Sequence, residues 1–269
     1  MMTHTQPRFT STQLNGQIRA YIQTLAEATD QARVSSVMTD YLESCARFHQ
    51  YSSHNIWLIR FQKPEATRVA GFQRWKKMGR FVRKGESGIP ILAPIFRKVQ
   101  EEDSDYAKLV NFRVVYVFDI SQTEGEPLPL PPEWKSPQQH VELQARLTAF
   151  AEQNDIRVNV QELSGEIQGI SRGGVIELSP QAGTKTLIHE IAHELMHQQR
   201  GLQRSQQIEE LEAESVAYVV GRYFGLDDLA SPNYVALHGV DAALILAHMQ
   251  RIQETAKDMI SNLEKECEQ

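Results

Sequence analysis

Between Thr186 and His197 the chain reads TLIHEIAHELMH, which sets His189, Glu190 and His193 in the pattern H-E-x-x-H. Histidines at i and i+4 project from one face of a helix, so both imidazoles can reach a single ion about 2 Å away. Glu190 is offset by about 100° from His189 and about 60° from His193 at 3.6 residues per turn. Its carboxylate then lies beside the open position of the ion, where a base for a metal-bound water belongs. Leu187, Ile188, Ile191, Ala192, Leu195 and Met196 fill the rest of the segment. The histidines therefore interrupt a buried arc and must find polar partners there.

Two histidines need a third ligand. His197 lies eight residues from His189, about 12 Å along a straight helix, and is read as a neighbour of the ligands or an exposed residue. The next segment, QIEELEAESVAYVVGRYF from Gln207 to Phe224, supplies carboxylates. Glu210, Glu214, Ala217 and Gly221 share one face of it, and the small residues 217 and 221 would allow close approach to the histidine helix. Glu210 is assigned as third ligand and Glu212 as the fallback, while Glu214 accepts a hydrogen bond from a ligand imidazole and fixes its tautomer. Two His, one Glu and an open fourth position suit one zinc ion per chain and predict a zinc metallopeptidase. Tyr234 or His238 would donate to the developing oxyanion, and the strand Gly174 to Ser179 would hold an extended peptide by edge pairing. A structural zinc would need four protein ligands, and no fourth is evident in the sequence.

The elements that must position these residues divide in two. The chain has 269 residues, 41% of them apolar, which is enough for one large core or two ordinary ones. The stretch EGEPLPLPPEWKSPQQ contains five prolines and reads as a linker. Residues 1–125, the linker 126–139 and residues 140–269 follow as domains. In the first, helices over Leu14 to Leu25, Val37 to Phe48 and Asn55 to Phe61 precede strands within Phe81 to Lys98 and over Asn111 to Ile120. In the second, a helix over Val141 to Gln153 leads to three short strands, with a hairpin at Gly173-Gly174, and then helices to the end. The fold class is α+β in both. No apolar run approaches the roughly 20 residues of a membrane span, and Cys45 and Cys267 give no disulfide framework, so a cytoplasmic protein without a membrane partner is expected.

The net charge of −6 is unevenly spread, since Arg60 to Lys98 holds 11 Lys or Arg against Glu65 and Glu86, a local +9. Arg60, Arg68, Arg74, Lys76, Lys77, Arg80, Arg83 and Lys84 are interleaved with aromatic residues, Trp75 among them. Cations that follow phosphates and flat side chains that stack on unpaired bases suit a single nucleic-acid strand.

YSSHNIWLI at Tyr51 to Ile59, FQRWKKMGRFVRKGESGIPIL at Phe72 to Leu92 and YVFDISQTEGEPLP at Tyr116 to Pro129 resemble the single-stranded-DNA-binding N-terminal domain of the ArdC antirestriction family. GVIELSP, TLIHEIAHELMH and ELEAESVAYVVGRYFGLD are similar to that family's zincin-like metallopeptidase domain. The segment MHQQRGLQRSQQIEE lacks the HWTGH-type continuation of the family. The resemblance implies a protein of plasmids or other mobile elements, active in conjugation, that binds single-stranded DNA and counters restriction. It also implies an E-x-x-A-E element at Glu210 and Glu214 and an unidentified protein substrate. Two alternatives are a regulatory peptidase that cleaves a DNA-bound repressor and a single-stranded-DNA-binding protein whose metal domain is structural.

Overall fold

The structure, a computed structural model, describes residues 9–28, 31–101, 104–128, 137–197, 205–226, 229, 230, 232, 234–237 and 240–265. In chain order it begins with the helices α1 (Ser11–Ala26), α2 (Gln31–Arg47) and α3 (Ser53–Gln62). Strand β1 (Val69–Gly71), helix α4 (Phe72–Lys77) and strands β2 (Arg80–Val82), β3 (Ile89–Glu101), β4 (Ser104–Asp119) and β5 (Thr123–Gly125) follow. Helix α5 (Pro137–Gln153) leads to strands β6 (Arg157–Val160), β7 (Gly169–Ser171) and β8 (Val175–Leu178). The chain continues with α6 (Thr184–His197), α7 (Gln206–Tyr223), a 3-10 turn (Tyr234–Leu237) and α8 (Ala242–Lys265). The fold class is α+β, and among the described residues no helix is long and apolar enough to cross a membrane.

Two compact units arise, residues 1–22 with 54–130, and residues 23–53 with 131–269. Residues 23–53, which the sequence division groups with 1–125, thus fall in the second unit, because α2 packs on α7.

In the first unit an antiparallel sheet runs in the order β1-β4-β3 and a small ladder joins β2 to β5. Ile56, Trp57, Leu58 and Ile59 of α3 are buried together with Ile89, Ile91, Leu92 and Val117 of the sheet. The exposed side of β3 is closed by Asn55, whose amide donates to the Leu92 carbonyl and accepts from its N–H, both at 2.8 Å. That side chain replaces a missing strand at the edge and satisfies backbone groups that would otherwise be buried unpaired. Asp119, 1% exposed, accepts from the backbone N–H groups of Thr67, Arg68 and Ser121 and thereby ties the loop before β1 to the end of β4.

The hairpin is longer than the sequence suggests. Pairing runs from Ile89↔Val117 to Glu101↔Ser104, with a register shift between Ile95 and Phe96, whereas the expected strands stop at Lys98 and start at Asn111. The described ladder reaches the charged residues Glu101 and Asp105 because pairing needs only backbone groups.

In the second unit β6 pairs parallel to β8 and β7 antiparallel to β8, giving the order β6-β8-β7. Gly173 and Gly174 have φ of 77° and 85°, left-handed values that side chains disfavour, and they turn the hairpin between β7 and β8. α5 and α6 pack on this sheet, α7 packs on α6 and α8, and α8 also meets α5 and α6, with Leu187, Ile188, Ile191, Ala192, Val216, Ala217 and Val220 buried.

Candidate metal centre

α6 carries the H-E-x-x-H residues as the spacing requires, and α7 lies beside it. His189 Nε2 and His193 Nε2 are 3.0 Å apart, and Glu210 brings its two oxygens to 3.5 Å from the first and 3.6 Å from the second. One ligand atom from each residue lies within 4.8 Å of the others. For a tetrahedral ion with bonds of about 2.0–2.1 Å, neighbouring ligand atoms are separated by roughly 3.3 Å, so the three contacts describe one face of such a polyhedron. The imidazoles are also in the form that ligates. Burial, and then the nearby rings of His189 and His197, lower His193 to about 4, and burial lowers His189 as well, so both are neutral near pH 7. Glu210 is half-exposed at 52%, which leaves the fourth side of the set open toward solvent.

Glu190 is only 7% exposed. Burial pushes its carboxyl up to about 7, the charge of Glu210 adds to the effect, and a backbone hydrogen bond from Ser171 opposes it. The backbone of β7 presses on this side chain, since a Cβ at Gly169 would lie 2.8 Å from Glu190 Cγ and 2.9 Å from its Oε1. Position 169 accordingly has no room for a side chain. β7 itself is held by Glu194, one helical turn beyond Glu190 and 1% exposed. Glu194 accepts from Ser171 Oγ at 2.5 Å and from the N–H groups of Gly173 and Gly174 at 2.8 and 2.6 Å. The turn of the hairpin is thereby locked to the helix that carries the histidines.

The remaining expected residues fall as follows. Glu214 places Oε1 at 3.6 Å from His189 Nδ1, beyond a hydrogen bond, and Oε2 at 3.0 Å from Lys185. Glu212, the fallback ligand, is fully buried and turned away from the histidine pair's Nε2 atoms. It is bonded to His197 Nε2 at 2.9 Å, His248 Nδ1 at 2.7 Å and the Arg251 guanidinium at 2.9 Å. Burial would raise its carboxyl, but the bonds from His197 and His248 and the charge of Arg251 outweigh that and hold it at about 2. Gly221 does not line the contact with α6; its missing side chain leaves space taken by Leu229 and Leu226. Tyr234 is 2% exposed in a turn packed on α2 and α7, a core position, and His238 lies outside the described residues. The strand over 175–178 cannot accept a peptide at an edge, because it is the middle strand with both sides paired; β7 is the edge strand next to Glu190.

In the basic segment Trp75 is 1% exposed and donates to the Phe118 carbonyl at 2.9 Å, so it is core and not a stacking surface. Arg80 is tied to Thr123 and to the carbonyls of Gly125 and Glu126, and Arg83 to Glu86 and the Ser121 carbonyl, holding β2 against β5. Arg60 and Arg68 are half-buried, while Arg74, Lys76, Lys77 and Lys84 are exposed. The exposed flat side chains are Phe72 and Phe81, at 50% and 53%, and, on the hairpin, Phe96 and Phe112 at 58% and 41%. Arg97, Lys98, Lys108 and Arg113 are exposed on the same hairpin. Alternation along β2 marks Phe81 as a surface position only once its pairing with β5 is known, whereas Phe72 opens the short helix α4.

Comparison with known proteins places this geometry in context. Residues 13–126 match the family model of the N-terminal domain of anti-restriction factor ArdC. An uncharacterised protein of Bacillus anthracis is 26% identical over 322 residues, an alignment that covers 98% of this chain and 54% of that protein. The chain thus spans about half the length of the curated relative it matches. The metal-free crystal structure of antirestriction protein ArdC from plasmid R388 is similar with a TM-score of 0.49 and 19% identity, over 80% of this chain and 84% of that one. The Mn(II)-bound structure of that protein gives 0.47 and 22%, over 83% and 97%.

Proposed function

We propose that this chain binds single-stranded DNA through residues 13–126, which match the family model of the N-terminal domain of anti-restriction factor ArdC, and that it carries a zinc-dependent peptidase site on α6 and α7. The observation that carries the peptidase reading is the set His189, His193 and Glu210, whose ligand atoms lie within 4.8 Å of one another beside a buried carboxylate. A divalent ion held by His189, His193 and Glu210 would supply a Lewis acid for a carbonyl oxygen and acidify a water. Glu190 would be the group beside it that accepts a proton at a carboxylate oxygen. A base is most effective with a pKa near the working pH, and burial brings Glu190 to about 7. The free edge of β7, fixed by Glu194, offers backbone groups to an extended peptide next to that carboxylate. The two imidazoles and one carboxylate, with a fourth side facing solvent, favour a catalytic site over a structural one.

Metal uptake tests this reading. The full-length protein is expected to bind one equivalent of zinc, and Glu210→Ala to lose most of it, as measured by metal analysis after gel filtration. Full occupancy in Glu210→Ala would remove Glu210 from the ligand set.

The DNA reading rests on exposed Arg74, Lys76, Lys77 and Lys84 with Phe72 and Phe81, and on the exposed cations and phenylalanines of the β3–β4 hairpin. Affinity for an oligonucleotide should fall steeply with salt. Replacing Lys76, Lys77 and Lys84 together is expected to reduce the slope of log K against log salt by about 2, at roughly 0.7 per phosphate contact on single strands. An unchanged slope would place the contacts elsewhere. In a family defined by antirestriction, such binding would keep the protein on DNA that enters as a single strand.

A further inference from the structure

We propose that His197 and Glu212 form a positioning chain that sets the tautomer of His193 and so prepares its Nε2 for the metal; this rests on the metal reading above. Glu212 Oε2 and His197 Nε2 are 2.9 Å apart, and an ionised carboxylate only accepts. The proton in that contact therefore belongs to His197 Nε2. With its N–H at Nε2 on Glu212, the His197 ring turns Nδ1 toward His193 as the accepting atom. That atom faces His193 Nδ1 at 3.1 Å, and the proton between them must be on His193. His193 Nε2 is then left as a lone pair, directed at the place where His189 Nε2 and Glu210 also converge.

The far end of the chain is built to stay anionic and fixed. Glu212 has no exposure, and its second oxygen accepts from His248 and from Arg251, both on α8. Arg251 also donates to the Met196 carbonyl at 2.9 Å, which pins α8 to the last turn of α6 one residue before His197. His189 has no equivalent, since its Nδ1 is 3.6 Å from Glu214. Of the two histidines, His193 is the one whose ligand atom is predetermined by the fold.

The test uses the full-length protein with zinc and with cobalt. His197→Phe keeps the ring volume and removes both bonds; Glu212→Gln keeps the shape and removes the charge. Each is expected to raise the zinc dissociation constant by roughly 10- to 100-fold and to alter the visible spectrum of the cobalt form. The double variant should be no weaker than the weaker single, because both act through one chain. In zinc-loaded wild type, imidazole ¹⁵N–¹H correlation spectra should show the N–H of His193 at Nδ1 and that of His197 at Nε2. That measurement decides the question even where a variant fails to fold. The opposite tautomer at either residue, or folded variants with wild-type affinity and spectrum, would overturn the positioning role while leaving the metal site intact. A wild-type protein that takes up no metal would remove the metal reading and this chain with it.

Discussion

Glu190→Gln is expected to keep its metal and to lose hydrolysis by about a thousandfold, the size of effect associated with removing a well-placed general base. The readout is a proteomic comparison of cells expressing the wild type and the variant, in which substrate fragments appear only with the wild type. Fragments of equal abundance would show that Glu190 is not the base. The same substitution has a second, independent consequence for the metal-free protein. Burial raises Glu190 from 4.5 to about 7, so between those values the folded state holds a proton that the unfolded state has lost. Stability then falls as pH rises from about 4.5 to about 7, and stays reduced above that. Gln carries no such cost, so metal-free Glu190→Gln should be more stable than wild type at pH 8 by on the order of 1–3 kcal/mol and equal to it near pH 4. Urea denaturation at the two pH values checks this.

What could be read from the sequence follows how local the determining interactions are. His189, Glu190 and His193 share one helix, so spacing alone places them, and Glu210 follows from the phase of α7 once a neighbouring helix is assumed. Pairing order is a different matter. The three strands of the second unit are visible in the sequence, but that β8 is central and β7 is the edge depends on which strand finds which, and alternation does not encode it. The same limit hid the role of Trp75, whose indole is buried against the carbonyl of Phe118, 43 positions away. Glu212 shows the limit most clearly. The sequence leaves it as a fallback ligand, because its partners His248 and Arg251 belong to α8 and carry no motif. Glu194 differs again, since a carboxylate one turn after Glu190 is legible, while the hairpin turn it holds is not.

Glu212→Ala is expected to destabilise the metal-free protein at pH 7 by about 3–5 kcal/mol, because it leaves the Arg251 charge and the His197 and His248 donors facing a buried gap. The acid limb has the opposite sign to that of Glu190. Glu212 is held at about 2, below the 4.5 of the unfolded chain, by His197, His248 and Arg251 acting against the penalty of burial. Its contribution is therefore complete above about pH 4.5 and is lost as pH falls toward 2, an amount of roughly 3 kcal/mol. Wild type and Glu212→Ala should accordingly converge in urea midpoint as the pH is lowered from 7 to 3, while a cavity effect alone would leave their separation constant. Convergence would identify the buried ion cluster, and not the packing of α7, as what joins the end of α6 to α8. A separation that does not change with pH would assign the loss to the cavity and not to the charge of Glu212.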